Sequence, residues 1–247
     1  MRTFISRFPV LTLAVVVLSV QLAIVLYAAS LMGPGQRMHD VPAAHAVFRY
    51  RHFWPLLLAI LITWFLEGKK GLFKLFGAYR IWRVPGKWYL FAGSWKFLFC
   101  YVGWAIADFA GILPWPGAAQ PMFTEGAHGE RMHIVNLLFG MPFILFVALV
   151  VIWGLWYLPM LLLGEGVPDG IPWYFFLLSM IGLALLLGWV YNMTHSGLIL
   201  LLMQLVSNIA FYVMPALPVA HQGDPSWVMV FVWVEVAVAA FVVIRYG

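Results

Sequence analysis

The sequence predicts an all-α protein, a polytopic bundle of transmembrane helices, from three observations. Hydrophobic residues make up 64% of the chain and charged residues only 9%, and the mean hydropathy is +0.96. Long apolar runs recur along the 247 residues, separated by short segments rich in glycine, proline and charge. A chain with so few polar side chains cannot cover a water-facing surface, so lipid must be its main solvent. Residues 1–247 are therefore predicted to form a single transmembrane domain.

Charge and cysteine content exclude several functional classes. The net charge is +5, but basic residues in a membrane protein mainly mark the loops that face the cytoplasm. Nucleic-acid binding would need a soluble basic surface, so no nucleic-acid partner is expected. The single cysteine, Cys100, lies inside an apolar run, which excludes a disulfide framework and a cysteine metal cluster.

The first span is predicted over residues 10–32. This apolar run is longer than a typical signal-peptide core and no small-residue cleavage site follows it, so we expect it to be retained. Residues 33–52 contain Pro34, Gly35 and Pro42 and are predicted to form a loop. The second span, residues 53–66, is short and is predicted to begin within that loop.

An amphipathic basic segment is predicted at residues 69–87, where aromatic and aliphatic residues alternate with Lys69, Lys70, Lys74, Arg80, Arg83 and Lys87. One interpretation places the segment in the membrane interface, with basic side chains reaching the headgroups. An ordinary basic loop on the cytoplasmic side fits the pattern equally well.

The third span is predicted over residues 88–113 and contains Lys96 and Asp108. Ionisable groups at membrane depth are costly, so each must face the protein interior or reach an interface. Both lie close enough to the ends of the span to reach an interface. The densest polar cluster of the chain follows in a predicted loop at residues 114–133.

The remaining spans are predicted from four apolar runs. Residues 134–163 would measure about 45 Å as one helix, more than the roughly 30 Å hydrocarbon core. Pro142 and Pro159 are predicted to divide this run. Further spans are predicted at residues 173–191, 197–217 and 227–244, with Glu235 in the middle of the last. The total is about seven spans, with eight as the alternative.

The distribution of basic residues predicts the orientation in a bacterial inner membrane. With the N-terminus in the cytoplasm, eight basic residues lie on the cytoplasmic side and five on the other, and Lys96 lies within a span. This asymmetry favours a cytoplasmic N-terminus, with residues 69–87 on the same side.

Four stretches together carry a resemblance to a known family. They are Glu67-Gly68-Lys69 with the aromatic residues that follow, the aromatic stretch Trp153-Gly154-Leu155-Trp156-Tyr157-Leu158-Pro159, residues 188–194, and Gln204-x-x-x-Asn208. In order and spacing they resemble the CPBP family of intramembrane proteases, the CAAX-protease and bacteriocin-processing or abortive-infection family. The resemblance covers about residues 54–215.

The resemblance implies hydrolysis by an activated water inside a membrane cavity, but the catalytic positions of this chain are degenerate. The family has a histidine after the second tryptophan and another before the asparagine, where this chain has Tyr157 and Gln204. Neither is a base or a common zinc ligand near neutral pH. Glu125 stands near one family glutamate, the family arginine position falls on Gly129, and Asn208 alone is in register. No catalytic residue is therefore expected.

A rebuilt metal site is the alternative to a solvated loop at residues 125–133. Glu125, His128, Glu130 and His133 supply carboxylate and imidazole groups, which suit zinc or iron. The glycines at positions 126 and 129 favour a loop, and the spacing spreads these residues over more than one helix face. A solvated loop is therefore the favoured interpretation, and no metal site is expected.

The predicted function is that of a pseudoenzyme. Its cavity would be lined by Trp153, Trp156, Tyr157, Gln204 and Asn208, which can hydrogen-bond but not hydrolyse. We expect an accessory or structural subunit of a membrane complex that contacts membrane lipids and other membrane-protein subunits. Its ligand would be a lipid, a pigment, a peptide or partner helices. The rival is an active intramembrane metalloprotease, or a related hydrolase or acyltransferase, using Glu125 or Glu130 with a loop histidine. A transporter is a weaker alternative, because the sequence shows neither internal repeats nor paired broken helices.

Overall fold

The computed structural model describes residues 2–51, 53–118, 150–161, 163, 171–214 and 225–246. Every regular element in these ranges is helical. Short 3₁₀ turns lie at Met38–Asp40 and Ala78–Arg80. The α-helices of the described ranges are α1 Arg2–Arg7, α2 Pro9–Ser30, α3 Pro42–Tyr50, α4 Trp54–Gly77, α5 Gly86–Phe109, α6 Val150–Leu161, α7 Trp173–Thr194, α8 Gly197–Val213 and α9 Ser226–Tyr246.

Four of these helices are long and apolar enough to cross a membrane, namely α2, α5, α7 and α9. Helix α8 carries a shorter apolar stretch, Gly197–Ala210. The prediction of an all-α protein with several membrane-spanning helices is confirmed at this level. The predicted total of about seven spans goes further than these four helices, and most of the run at residues 134–163 lies outside the described residues.

The chain forms two compact units. The N-terminal unit comprises Met1–Ala78 and Leu149–Gly166, and the C-terminal unit comprises Tyr79–Ala148 and Val167–Gly247.

Helix α2 is the centre of the N-terminal unit, where it packs against α3, α4 and α6. Its buried residues, Ala14, Val17, Gln21, Val25 and Ala28, recur every three or four positions and so form one stripe. Gln21 is the polar member of this stripe. Its side-chain Nε2 donates a hydrogen bond to the Trp156 carbonyl oxygen at 3.1 Å, which links α2 to α6.

Four helices, α5, α7, α8 and α9, form a bundle in the C-terminal unit, with α9 packed against both α7 and α5. Gly103 allows α5 to approach α9 closely, because a Cβ atom there would lie 2.9 Å from Val234 Cγ2 and 3.1 Å from Val230 Cγ1. Two tryptophans of α5 are fully buried and donate from Nε1 to backbone carbonyls. Trp95 bonds to Met203 at 3.0 Å and Trp104 to Trp227 at 3.3 Å.

The predicted loop at residues 33–52 contains helix α3, so this part of the prediction was wrong. Pro42 occupies the first turn of α3, where its missing N–H costs no helical hydrogen bond. Ala44, Val47 and Phe48 follow at helical spacing and pack with Ala28 and Met38 in a small core. The proline that indicated a loop therefore begins a helix.

The predicted basic segment at residues 69–87 consists of several elements. Its first part belongs to α4, the turn Ala78–Arg80 follows, and α5 begins at Gly86. Within α4, Gly68 has φ 62° and ψ −151°, which are not helical angles, so α4 is kinked there. Glycine adopts a positive φ without the steric cost that a Cβ atom imposes.

Candidate functional site

The aromatic stretch at residues 153–159 lies in α6. Trp156 is buried at 2% exposure, and the half-buried ring of Tyr157 meets the Trp156 ring edge to face, with centroids 4.9 Å apart. The side chain of Trp153 lies outside the described residues. Helix α6 continues through Pro159 to Leu161, so the predicted division of the helix at Pro159 is not observed. Two of the described residues, 160 and 161, follow this proline in the helix, and the hydrogen bond that it removes lies near the end of α6.

A buried arginine lies against the aromatic stretch, and the sequence did not single it out. The Arg51 guanidinium carbon lies 3.6 Å from the ring centroid of Phe48 and 4.9 Å from that of Trp156. Its Nη1 donates to the Phe48 carbonyl oxygen at 3.1 Å. Burial lowers the pKa of Arg51 to about 10, and the nearby Tyr157 acts in the opposite direction. Arg51 therefore remains a cation near neutral pH and stabilises this corner by cation–π contact.

Gln204 and Asn208 lie one turn apart on α8. The Gln204 side chain donates from Nε2 to Asn208 Oδ1 at 3.2 Å, and both side chains are half-buried. Gln204 Oε1 is a buried acceptor that has no hydrogen-bond partner among the described residues. This pair offers hydrogen-bonding groups but no group that can accept a proton near neutral pH.

The predicted cavity lining is divided between the two units. Trp156 and Tyr157 belong to the N-terminal unit, and Gln204 and Asn208 belong to the C-terminal unit. Within each unit the structure brings the two members together. A shared cavity remains a prediction from the sequence.

The candidate metal ligands Glu125, His128, Glu130 and His133 lie outside the described residues. Among the residues that the structure describes, no three His, Cys, Asp or Glu side chains are grouped as a metal site. His195, next to the turn between α7 and α8, is exposed, and its ring meets that of Tyr191 with centroids 5.9 Å apart.

A second polar site lies inside the bundle of the C-terminal unit. Lys96 of α5 is 3% exposed, and its Nζ lies 3.0 Å from Ser207 Oγ of α8. Glu235 of α9 is 1% exposed, and its Oε2 accepts a hydrogen bond from Ser179 Oγ of α7 at 2.6 Å. We call Lys96, Ser179, Ser207 and Glu235 the polar core.

The polar core connects all four helices of the bundle and contains one basic and one acidic side chain. Lys96 and Glu235 interact electrostatically, and the Lys96 ammonium also lies 5.1 Å from the ring centroid of Phe231. The sequence left two placements open to Lys96, the protein interior and a membrane interface, and the structure shows Lys96 in the interior. A charged group in a lipid-embedded bundle is stable only beside polar partners, so the polar core fixes how these helices are rotated.

The signal that the sequence offered for the polar core was an ionisable residue inside an apolar run, at Lys96 and again at Glu235. Helix α5 begins at Gly86 and ends at Phe109, which places Lys96 far from both ends. Asp108 lies near the end of α5, is exposed, and accepts a hydrogen bond from the Trp115 backbone N–H at 2.9 Å. Asp108 therefore takes the predicted placement near an interface, whereas Lys96 takes the placement in the protein interior.

Comparison of the chain with protein-family models, curated proteins and solved structures gives no match. The resemblance to the CPBP family therefore rests on the sequence motifs alone.

Proposed function

We propose that the protein is a non-catalytic, multi-pass membrane protein with a CPBP-like fold, acting as an accessory or structural subunit of a membrane complex. The proposal includes about seven spans in a bacterial inner membrane and a cytoplasmic N-terminus. Its membrane-embedded helices would bind lipid, a pigment or partner helices.

The pairing of Gln204 with Asn208 carries the proposal. In the resembling family a histidine would stand at position 204, where it could bind a metal or accept a proton from water. Here the amide donates to Asn208, and neither side chain titrates near neutral pH. At the other histidine position, Tyr157 lies beside the cationic Arg51, with an electrostatic interaction between them. A neutral phenol can donate a hydrogen bond but does not act as a base near neutral pH.

Aromatic content supports a binding role. The chain contains 13 tryptophans and 20 phenylalanines, more than two interfacial belts need. On α9, Trp233 and Phe241 are 59% and 62% exposed. Such side chains require lipid, an apolar ligand or another protein as their surroundings.

The experiment compares Glu125→Ala with Gln204→Leu/Asn208→Leu, each expressed at the native level and purified in mild detergent. We expect the unaltered protein to retain a stoichiometric companion protein or pigment and to hydrolyse peptides no faster than background. Glu125→Ala should keep both the companion and the biological role, and the double variant should weaken retention. A lipid-only monomer that supports full biological function would contradict the accessory role.

The rival function uses the loop carboxylates Glu125 and Glu130 with a loop histidine, and it makes the opposite prediction for Glu125→Ala. A positioned general base contributes about 10² to 10⁴ in rate. If Glu125→Ala abolished the biological role while the protein remained folded and inserted, a membrane hydrolase or acyltransferase would replace the accessory subunit as the proposed function.

A further inference from the structure

The last part of α4 differs from the rest of the helix in both direction and charge. After the kink at Gly68, residues 69–77 continue as a helix, and we call them the basic tail. Its three lysines, Lys69, Lys70 and Lys74, are all exposed. Residues 68–87 contain six basic residues and no acidic residue, and Glu67 directly precedes them, so the charge around the basic tail is predominantly positive.

The basic tail is amphipathic. At about 100° per residue, Lys70 and Lys74 lie on one side of the helix, and Leu72, Leu75 and Phe76 lie on the opposite side. Lys69, the first residue after the kink, lies beside Phe76, and its long side chain can extend from there to a headgroup. Phe73 lies between the two sides. Leu72 and Leu75 are half-buried, whereas Phe73 and Phe76 are 68% and 39% exposed. The apolar side therefore extends beyond what the described residues cover.

The position of the basic tail in the chain places it at the edge of an apolar helix. Before the kink, residues 54–66 of α4 carry no charged residue, and Glu67, Lys69 and Lys70 then follow within four positions. A run of charges directly after an apolar helix marks the level of lipid headgroups. The positive φ of Gly68 lets the basic tail leave the axis of the apolar part at this level.

We propose that the basic tail binds anionic phospholipid headgroups at the bilayer surface, with Lys69, Lys70 and Lys74 on the phosphates and Phe73 and Phe76 in the acyl boundary. Lipid satisfies both features of this nine-residue helix, because it offers negative charge and apolar chains within a few ångströms. A dissolved phosphate ion would satisfy the lysines alone. The inference does not depend on whether the protein is an accessory subunit.

The test measures how strongly phosphatidylglycerol, compared with phosphatidylcholine, binds the full-length protein in mild detergent, by lipid titration of its thermal stability. The variant K69Q/K70Q/K74Q removes the charge, and K69R/K70R/K74R is the matched control that keeps it. Each basic residue near an anionic surface contributes about 1 kcal/mol, so we expect the Gln variant, which lacks three charges, to lose the preference for phosphatidylglycerol by roughly a hundredfold. The Arg variant should retain it.

Three results would overturn the proposal. One is a Gln variant with an unchanged preference for phosphatidylglycerol, and another is an Arg variant that loses it as the Gln variant does. The third is equal competition by inorganic phosphate or by a soluble acidic peptide, which would indicate a free anion or an acidic protein as the partner. Gly68→Ala separates geometry from charge, because alanine is strained at the positive φ of this position while all three lysines remain. We expect this variant to weaken the preference for phosphatidylglycerol.

Discussion

At the scale of single residues, Gly103 decides how closely α5 and α9 pack. We expect Gly103→Ala to lower the free energy of unfolding by about 1–3 kcal/mol, because its Cβ would meet two stiff valine side chains. Gly93→Ala on the same helix is the control, since nothing lies within 4 Å of a Cβ atom at that position. The control should be neutral or stabilising by up to about 1 kcal/mol. Unfolding by sodium dodecyl sulfate from mild detergent measures both, and equal effects would contradict the close approach.

Tyr79 is a residue whose titration reports on its packing. Burial raises the pKa of its phenol above the ordinary value of 10, and its ring lies 3.3 Å from where a Cβ atom of Gly197 would be. Below pH 10 the phenol is neutral in the folded and unfolded chain alike. Above pH 10 only the unfolded chain ionises readily, so this group lowers stability as the pH rises.

We therefore expect absorbance at 295 nm, followed from pH 9 upward, to show one tyrosine that ionises above the ordinary range of a phenol, and this late step should be absent in Tyr79→Phe. Exposed Tyr50 supplies the control through Tyr50→Phe, which should leave the late-ionising tyrosine in place. Identical titration curves for the two variants would show that Tyr79 is not buried.

The sequence predicted individual residues best where their chemistry depends on composition alone. It identified Tyr157 and Gln204 as groups without basic character, and that conclusion needs no coordinates. It did not single out Arg51, because a basic residue between two helices looks the same whether it faces water or covers Phe48 and Trp156. Only the packing of α3 against α2 distinguishes these two environments.

At the scale of helices, the polar core predicts strong coupling between α5 and α9. Removing one charge from a buried pair leaves the other without compensation, so we expect Lys96→Met and Glu235→Leu each to lower the free energy of unfolding by roughly 3 kcal/mol. The double variant should cost at least about 1 kcal/mol less than the sum. Asp108→Asn, an exposed site on α5, should change stability by less than about 0.5 kcal/mol. Strict additivity would contradict the coupling.

Helix existence could be predicted from the sequence more accurately than helix ends. The runs that became α2, α5, α7 and α9 are long and apolar, and their hydropathy alone identifies them. Helix α3 was missed because Pro42 indicates either a loop or the first turn of a helix, and only packing against Ala28 selects the helix. The kink at Gly68 depends on a backbone conformation that composition does not reveal.

At the scale of the whole molecule, the asymmetry of basic residues predicts topology. Cysteines at positions 70 and 74 should react with a membrane-impermeant maleimide only from the cytoplasmic side. Cys100 is buried, so background labelling should be low. Gln36→Cys, at an exposed position in the segment predicted to face the other side, should show the reverse pattern. Ready labelling of positions 70 and 74 from the periplasm would overturn the orientation.

The connection between α7 and α8 bears on how the chain enters the bilayer during synthesis. Helix α7 ends at Thr194 and α8 begins at Gly197, and Ser196 caps α8 by accepting a hydrogen bond from the Ile199 N–H at 3.3 Å. Ser196 Oγ also donates to the Ile81 carbonyl oxygen at 2.5 Å. Two connecting residues leave no length for one helix to settle across the membrane while the other waits in water. We therefore expect the pair to enter the lipid together as one hairpin, which Ser196 joins to a segment synthesised more than a hundred residues earlier.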